Sequence, residues 1–286
     1  PTLVGASNLA PGSTVTLTVT DALGAVQTFS TTVRADGTYS VDVPAPLAEG
    51  PYTAVANVNG PGGTTGSATD NGEVDITPPA ITVDAPALTN DSTPALTGTT
   101  DLPVGSTITL AVTGANGVTQ LFTTTVQTGG VFSVDVPAAL VQGNFNVVAT
   151  ATDEAGNSAT ATDTGEIDTT PPVATLAIDP ITADNIVNAG EATGNITITG
   201  TVGGDVRVGD TVTLNVNGVN YTGLVLAGNT FAISVPGAGV LADADRRIDG
   251  SVTTTDTAGN STTASAQRPY AVNSAPIAVD DTLSIG

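Results

Sequence analysis

Between Thr107 and Val112 the chain reads Thr-Ile-Thr-Leu-Ala-Val, apolar residues alternating with polar or small ones. A period of two suits a strand with one face in a core and the other in water. Ser133-Val-Asp-Val136 keeps the same period, with Asp135 on the wet face. Asn116-Gly117 and Asn217-Gly218 are hairpin dipeptides, because both residue types tolerate positive φ. Helical periodicity is almost absent. Over residues 78–170 the pattern predicts strands near 80–84, 94–100, 106–113, 118–127, 131–136, 144–152 and 157–167.

The pattern repeats. Gly12-Ser-Thr-Val-Thr-Leu-Thr-Val19 matches Gly105-Ser-Thr-Ile-Thr-Leu-Ala-Val112, and Tyr39-Ser-Val-Asp-Val-Pro44 matches Phe132-Ser-Val-Asp-Val-Pro137. A more divergent copy carries Gly209-Asp-Thr-Val-Thr-Leu214 and Phe231-Ala-Ile-Ser-Val-Pro236. The aromatic pairs Phe29/Tyr39, Phe122/Phe132 and Tyr221/Phe231 keep the same spacing, as core anchors do. Thr-Pro-Pro recurs at Thr77–Pro79 and Thr170–Pro172, 93 positions apart. Such short proline-rich linkers hold φ and resist bending. The expected units are 1–77 (first strand missing), 78–170, 171–273, and a linker with the start of a fourth unit at 274–286. Seven short strands per unit is the count of an immunoglobulin-like sandwich. The expected fold class is therefore all-β, tandem sandwiches set end to end as a monomeric rod.

Composition narrows the function. The chain has 286 residues, a net charge of −22, five basic residues and no His, Cys, Met or Trp. All five basic residues are Arg, too few for a nucleic-acid surface. Without Cys or His there is no thiol nucleophile, no Ser-His-Asp triad and no ordinary zinc site. Paired carboxylates could hydrolyse glycosides, but a sugar cleft is poorly supplied without Trp. The chain is read as non-enzymatic. No apolar run reaches membrane-spanning length. No signal peptide is visible, and a chain beginning at Pro1 reads as a fragment.

The acidic residues gather in loops and linkers. Strand directions place Asp75 of the first linker, Asp101 of a following loop and the hairpin Asp153-Glu-Ala-Gly-Asn157 at one seam. They place Asp168, Asp205 and Asp256-Thr-Ala-Gly-Asn260 at the next. Carboxylates that close repel, and a hard cation relieves this. Calcium accepts six to eight oxygens in irregular geometry and ranks first, with magnesium second. Asn157 and Asn260 belong to the same expected ligand sets. Plain acidic solubility is the competing explanation. A second type of site is expected at Asp184, Asn188 and Glu191, with Asp243 and Asp245 nearby. The competing reading there pairs Asp243 and Asp245 with Arg246 or Arg247. Gly60-Pro-Gly-Gly-Thr64 replaces the acidic hairpin in the first unit, which should lack a site at that end.

Units ending in Val/Ile-Asp-x-Thr-Pro-Pro, with an Asp-x-Ala-Gly-Asn hairpin, resemble the bacterial immunoglobulin-like repeats of giant RTX-type adhesins. Ile178–Asn188, Gly200–Asp210 and Asp256–Asn260 carry the resemblance in the third unit, and Asn273–Asp281 resembles the opening of another repeat. The resemblance implies a type I secreted protein at the surface of a Gram-negative bacterium, in adhesion and biofilm formation. Its repeats would extend a ligand-binding domain from the cell, with calcium at the seams. Carried over by position, the ligand role falls on Asp75, Asp153, Asp168 and Asp256, then on Asp184 and Glu191. The partners implied are neighbouring repeats of the same chain. The alternative is a module that itself binds a glycan or protein, for which Tyr270 near the last seam is the one aromatic outside a core-like position.

Overall fold

The computed structural model describes residues 1–273, so the linker and fourth unit expected at 274–286 lie outside the described residues. The first set of strands is β1 (Thr2–Ala6), β2 (Thr14–Thr20), β3 (Val26–Thr32), β4 (Thr38–Asp42), β5 (Gly50–Asn59) and β6 (Thr65–Val74). β1 pairs with β4, and the rest form a sheet in the order β3-β2-β5-β6. The second set is β7 (Ala95–Thr99), β8 (Thr107–Thr113), β9 (Thr119–Thr125), β10 (Val131–Asp135), β11 (Gly143–Thr152) and β12 (Ser158–Ile167). Here β7 pairs with β10, and the larger sheet runs β12-β11-β8-β9.

The third set adds detail to the same plan. It comprises β13 (Ala174–Ile178), β14 (Ile186–Asn188), β15 (Asn195–Gly204), β16 (Thr211–Val216), β17 (Val219–Leu224) and β18 (Thr230–Pro236). A short helix α1 (Gly237–Ala242), β19 (Arg247–Thr255), β20 (Ser261–Pro269) and β21 (Ala271–Asn273) follow. The sheets are β13-β15-β18, β17-β16-β19-β20 and the parallel pair β14-β21. Two sheets enclose each core, so the fold is a tandem of immunoglobulin-like β-sandwiches.

Alternation explains the packing. β8 buries Ile108, Leu110 and Val112 fully and leaves the intervening residues partly exposed. These three meet Leu96 and Phe132 from the opposite sheet. Phe132, Phe231 and Tyr39 are buried, while Phe122, Tyr221 and Phe29 pack half-buried against the same cores. Asn217 and Gly218 both adopt positive φ (51° and 76°), giving a two-residue hairpin between Val216 and Val219. Asn116 differs. Only Gly117 is left-handed there, and the Asn116 side chain accepts the Val118 N–H instead.

The strand expected at 80–84 is a correction. Ile81 and Asp84 make isolated bridges to Thr100 and Thr97, with no continuous ladder. Thr82 N–H donates to the Thr99 carbonyl, but Thr99 N–H returns to the Thr82 hydroxyl and not to its carbonyl. The side chain thus competes with the ladder. At Ala85, whose N–H reaches the Asp163 carboxylate at 2.8 Å, the segment begins to cross to the other sheet, and past Pro86 Thr89 bridges Ile167 in parallel.

The carbonyl of Thr82 and the ring of Phe132 both lie against Gly98, whose register partner is Phe132. A methyl group at Gly98 would overlap both. At Gly5, the matching position, the atoms nearest to such a methyl are the outer end of the Tyr39 ring, and no backbone carbonyl is among them. Gly98→Ala should therefore cost about 1–3 kcal/mol of stability, the usual range for overpacking, and Gly5→Ala clearly less. Urea unfolding of the two variants checks this, and equal losses would contradict it.

Candidate functional site

Both linkers are built alike. Asp75 Oδ1 accepts the Thr77 N–H at 3.0 Å, and Asp168 Oδ1 accepts the Thr170 N–H at 3.0 Å. These are Asx turns, which bring the chain round before two prolines fix its direction. The threonine hydroxyls then tie back to the sandwich just completed. Thr77 donates to Glu49 Oε1, and Thr170 donates to Gln142 Oε1 at 2.8 Å. Beyond the prolines, Ala80 N–H donates to Asp101 Oδ1 at 2.9 Å and Val173 N–H to Asp205 Oδ2 at 2.8 Å.

The acidic hairpins close each linker from the far side. In the β11–β12 turn, Asp153 Oδ1 accepts the Asn157 backbone N–H at 2.8 Å and Gly156 takes φ of 96°. The Asn157 amide donates both to Asp153 Oδ2 at 2.9 Å and to the carbonyl of Asp75 at 3.1 Å. The β19–β20 turn repeats this: Asn260 donates to Asp256 Oδ2 at 3.0 Å and to the Asp168 carbonyl at 2.7 Å. One side-chain amide thus joins a hairpin of the following sandwich to the backbone of the linker.

These bonds set the carboxyl chemistry. Hydrogen bonds from the Asn260 side chain, then its backbone, outweigh burial and hold Asp256 below the usual carboxylate value of 3.8. At Asp153 burial alone would raise the value, but the Asn157 side-chain and backbone bonds together bring it below 3.8. Both groups are ionised at neutral pH and offer hard oxygen atoms.

At the second linker, Asp168, Asp205 and Asp256 line one cleft of about 270 Å³ together with Arg207. By donor type this all-oxygen set fits calcium. Among the described residues, no three acidic side chains are grouped closely enough to hold a metal ion. The reason is visible in the bonding. Asp75, Asp101, Asp168 and Asp205 each give one oxygen to a backbone N–H, and Asp153 and Asp256 give both oxygens to Asn157 and Asn260.

The residues expected as a second type of site do local work. Asp184 Oδ1 accepts the Ile186 N–H and the Thr182 hydroxyl, which together lower its pKa. Asn188 and Glu191 cap one another: Asn188 N–H donates to Glu191 Oε2 and Glu191 N–H to Asn188 Oδ1, each at 3.0 Å. Asp245 pairs with Arg247 at 3.5 Å, as the competing reading had it. Asp243 is 7% exposed, and burial, then Asp245, push its pKa up. Tyr270 is not an exposed aromatic. It is 6% exposed, and its hydroxyl donates to the Val240 carbonyl at 2.6 Å. In the first sandwich, Gly60 N–H bonds the Thr64 carbonyl at 2.7 Å, and Asn8 stands where Asp101 does in the second. That end lacks both acids.

Glu49, Gln142 and Arg207 were not expected at the linkers. Glu49 and Gln142 occupy matching places before β5 and β11, so the repeat carried the signal. Arg207 has Pro103 as its counterpart, and no pattern marked it.

Residues 81–169 match the profile of the bacterial Ig-like domain family. A solved structure bearing on host cell surface retention of a 1.5-MDa bacterial ice-binding adhesin is 30% identical, with a TM-score of 0.56, over 95% of this chain and 90% of that one. A Ca2+-stabilised adhesin that helps an Antarctic bacterium reach out and bind ice is 33% identical, with a TM-score of 0.60, over 95% of this chain and 68% of that one. No curated protein sequence matches. The chain belongs to the bacterial immunoglobulin-like repeats of large adhesins, a family of structural β-sandwich domains.

Asp256 should titrate below 3.8, and Asn260→Ala should move it back up, since that side chain is the largest cause of the shift. A folded pKa below the unfolded one means the turn contributes fully above 3.8 and loses that contribution as pH falls through the depressed value. Carboxyl NMR titration of both proteins checks this. An unshifted Asp256 in Asn260→Ala would refute the clamp.

Proposed function

We propose that this chain is a spacer from a secreted bacterial surface adhesin, its tandem sandwiches stiffened by calcium at the linkers. The observation that carries the reading is the duplicated linker wiring, in which Asn157 and Asn260 join hairpin, carboxylate and linker backbone in the same way. Similarity to surface-retained and Ca2+-stabilised adhesins supports it.

The work of a spacer is geometric. It holds a ligand-binding domain away from the cell and must not fold back. Pro78-Pro79 and Pro171-Pro172 limit bending, and the hydrogen bonds to Asp101 and Asp205 fix the entry of each following sandwich. Asp75, Asp101, Asp153 and Asn157 would hold calcium at the first linker, and Asp168, Asp205, Asp256 and Asn260 at the second. Calcium there would neutralise the carboxylates and link two sandwiches through shared oxygens. Asp184, Asn188 and Glu191 form a further candidate group. The unit bounds 1–77, 78–170 and 171–273, an end-to-end monomeric rod, an extracellular place at the cell surface, type I secretion and a part in biofilm formation belong to the same reading.

A module that itself binds a glycan or protein is the second reading. All nine aromatic residues are buried or half-buried, which favours the spacer.

Thermal unfolding in EDTA, in millimolar calcium and in matched magnesium tests the proposal. Calcium at a hundredfold excess over Kd should stabilise by about 2.7 kcal/mol per site, with magnesium doing less. Asp153→Ala should remove the gain at the first linker and Asp256→Ala at the second. Identical melts in all three solutions would leave the acids a role in solubility alone.

A further inference from the structure

The two linkers share their hydrogen bonds but not their charge. Around the first stand Glu49, Asp75, Asp101, Asp153 and Glu154, and the counterpart of Arg207 is Pro103. Around the second, Glu49 is matched by Gln142 and Glu154 by Thr257, leaving the carboxylates of Asp168, Asp205 and Asp256. Arg207 joins those three in lining the cleft. These three changes lower the negative charge of the second linker by more than one further change, Asp210 where the first has Ser106, raises it. The chain has only five basic residues, so placing one here is not a surface average.

The loop that presents Arg207 is itself fixed. Arg207 N–H donates to Asp210 Oδ2 at 2.8 Å, Asp210 N–H returns to the Arg207 carbonyl at 3.0 Å, and Gly209 closes the turn with φ of 97°. The loop therefore holds Arg207 at the edge of the cleft, its charge acting across the cleft and not through a direct ion pair: among the described residues the direct ion pairs are those of Arg247. The charged groups that share the cleft with it are Asp168 from the linker, Asp205 from its own loop and Asp256 from the β19–β20 hairpin, and Asp210 of the same loop accepts its backbone N–H.

We propose that Arg207 is a built-in counter-cation for the second linker, so that this linker keeps its geometry without a divalent ion while the first depends on one. The proposal rests on the calcium reading only for the first linker. A guanidinium is always charged and cannot be removed by a chelator. The spacer would then contain one cation-dependent joint and one permanent joint, and falling calcium would loosen it at residues 75–80 first.

Amide hydrogen exchange, read by NMR on the whole chain, tests this. Val173 and Asn260 report the second linker, and Ala80 and Asn157 the first, because each of these N–H groups bonds a carboxylate. In EDTA, Val173 and Asn260 should stay protected while Ala80 and Asn157 exchange faster. Arg207→Gln in EDTA should speed exchange at Val173 and Asn260 by up to about fivefold, the upper range for interacting part-exposed charges. Pro103→Arg should slow it at Ala80 and Asn157. Unchanged exchange in Arg207→Gln, or equal protection of both linkers in EDTA, overturns the proposal. Calcium failing to protect the first linker would sink the calcium reading instead, and the Arg207→Gln comparison in EDTA would still decide the role of Arg207.

Discussion

A side-chain amide with two N–H donors and two acceptors in reach is what joins one sandwich to the next. Asn157 and Asn260 each donate to a carboxylate in their own hairpin and to the linker carbonyl of Asp75 or Asp168. The hairpin carboxylate and the linker thus share one group. Moving the linker disturbs the turn, and protonating the carboxylate weakens its hold on the amide. The prolines add stiffness only because this contact fixes the direction in which they point.

Everything else serves to deliver these groups to one place. Alternating strands build cores that need no contribution from the linkers, with Phe132 and Phe231 at their centres. The hairpins β11–β12 and β19–β20 are the longest pairings of their sandwiches, and their turns carry Asp153 and Asp256 to the linker end. The loops before β8 and β16 bring Asp101 and Asp205 to the same end, where they receive the first N–H after the prolines. Backbone and side-chain N–H donors offset part of the repulsion among carboxylates so arranged. They also retain the lone pairs that a hard cation would use.

The sandwich plan was legible because a period of two survives in a Thr-rich sequence, where Val, Leu and Ile mark the buried face. The strand at 80–84 was misread because Thr82 places its hydroxyl where a carbonyl would continue the ladder, and period alone cannot distinguish the two. The positions of the linker acids were legible from strand direction. Their bonding was not, since whether a carboxylate meets a metal or an N–H is decided by side-chain rotation over a few ångströms. For the same reason the mutual cap of Asn188 and Glu191 could not be read from the sequence. Tyr270 looked exposed because it stands near the last seam, outside the repeated aromatic positions, but α1 supplies both a cover and an acceptor for its hydroxyl.

The central claim is that cations complete the linkers, and crystallography in millimolar calcium addresses it most directly. The account predicts calcium density bound by Asp75, Asp101 and Asp153 at the first linker, with oxygen distances of about 2.3–2.6 Å. Well-ordered linkers with Asp153 still bonded only to Asn157, and no ion beside it, would contradict the account.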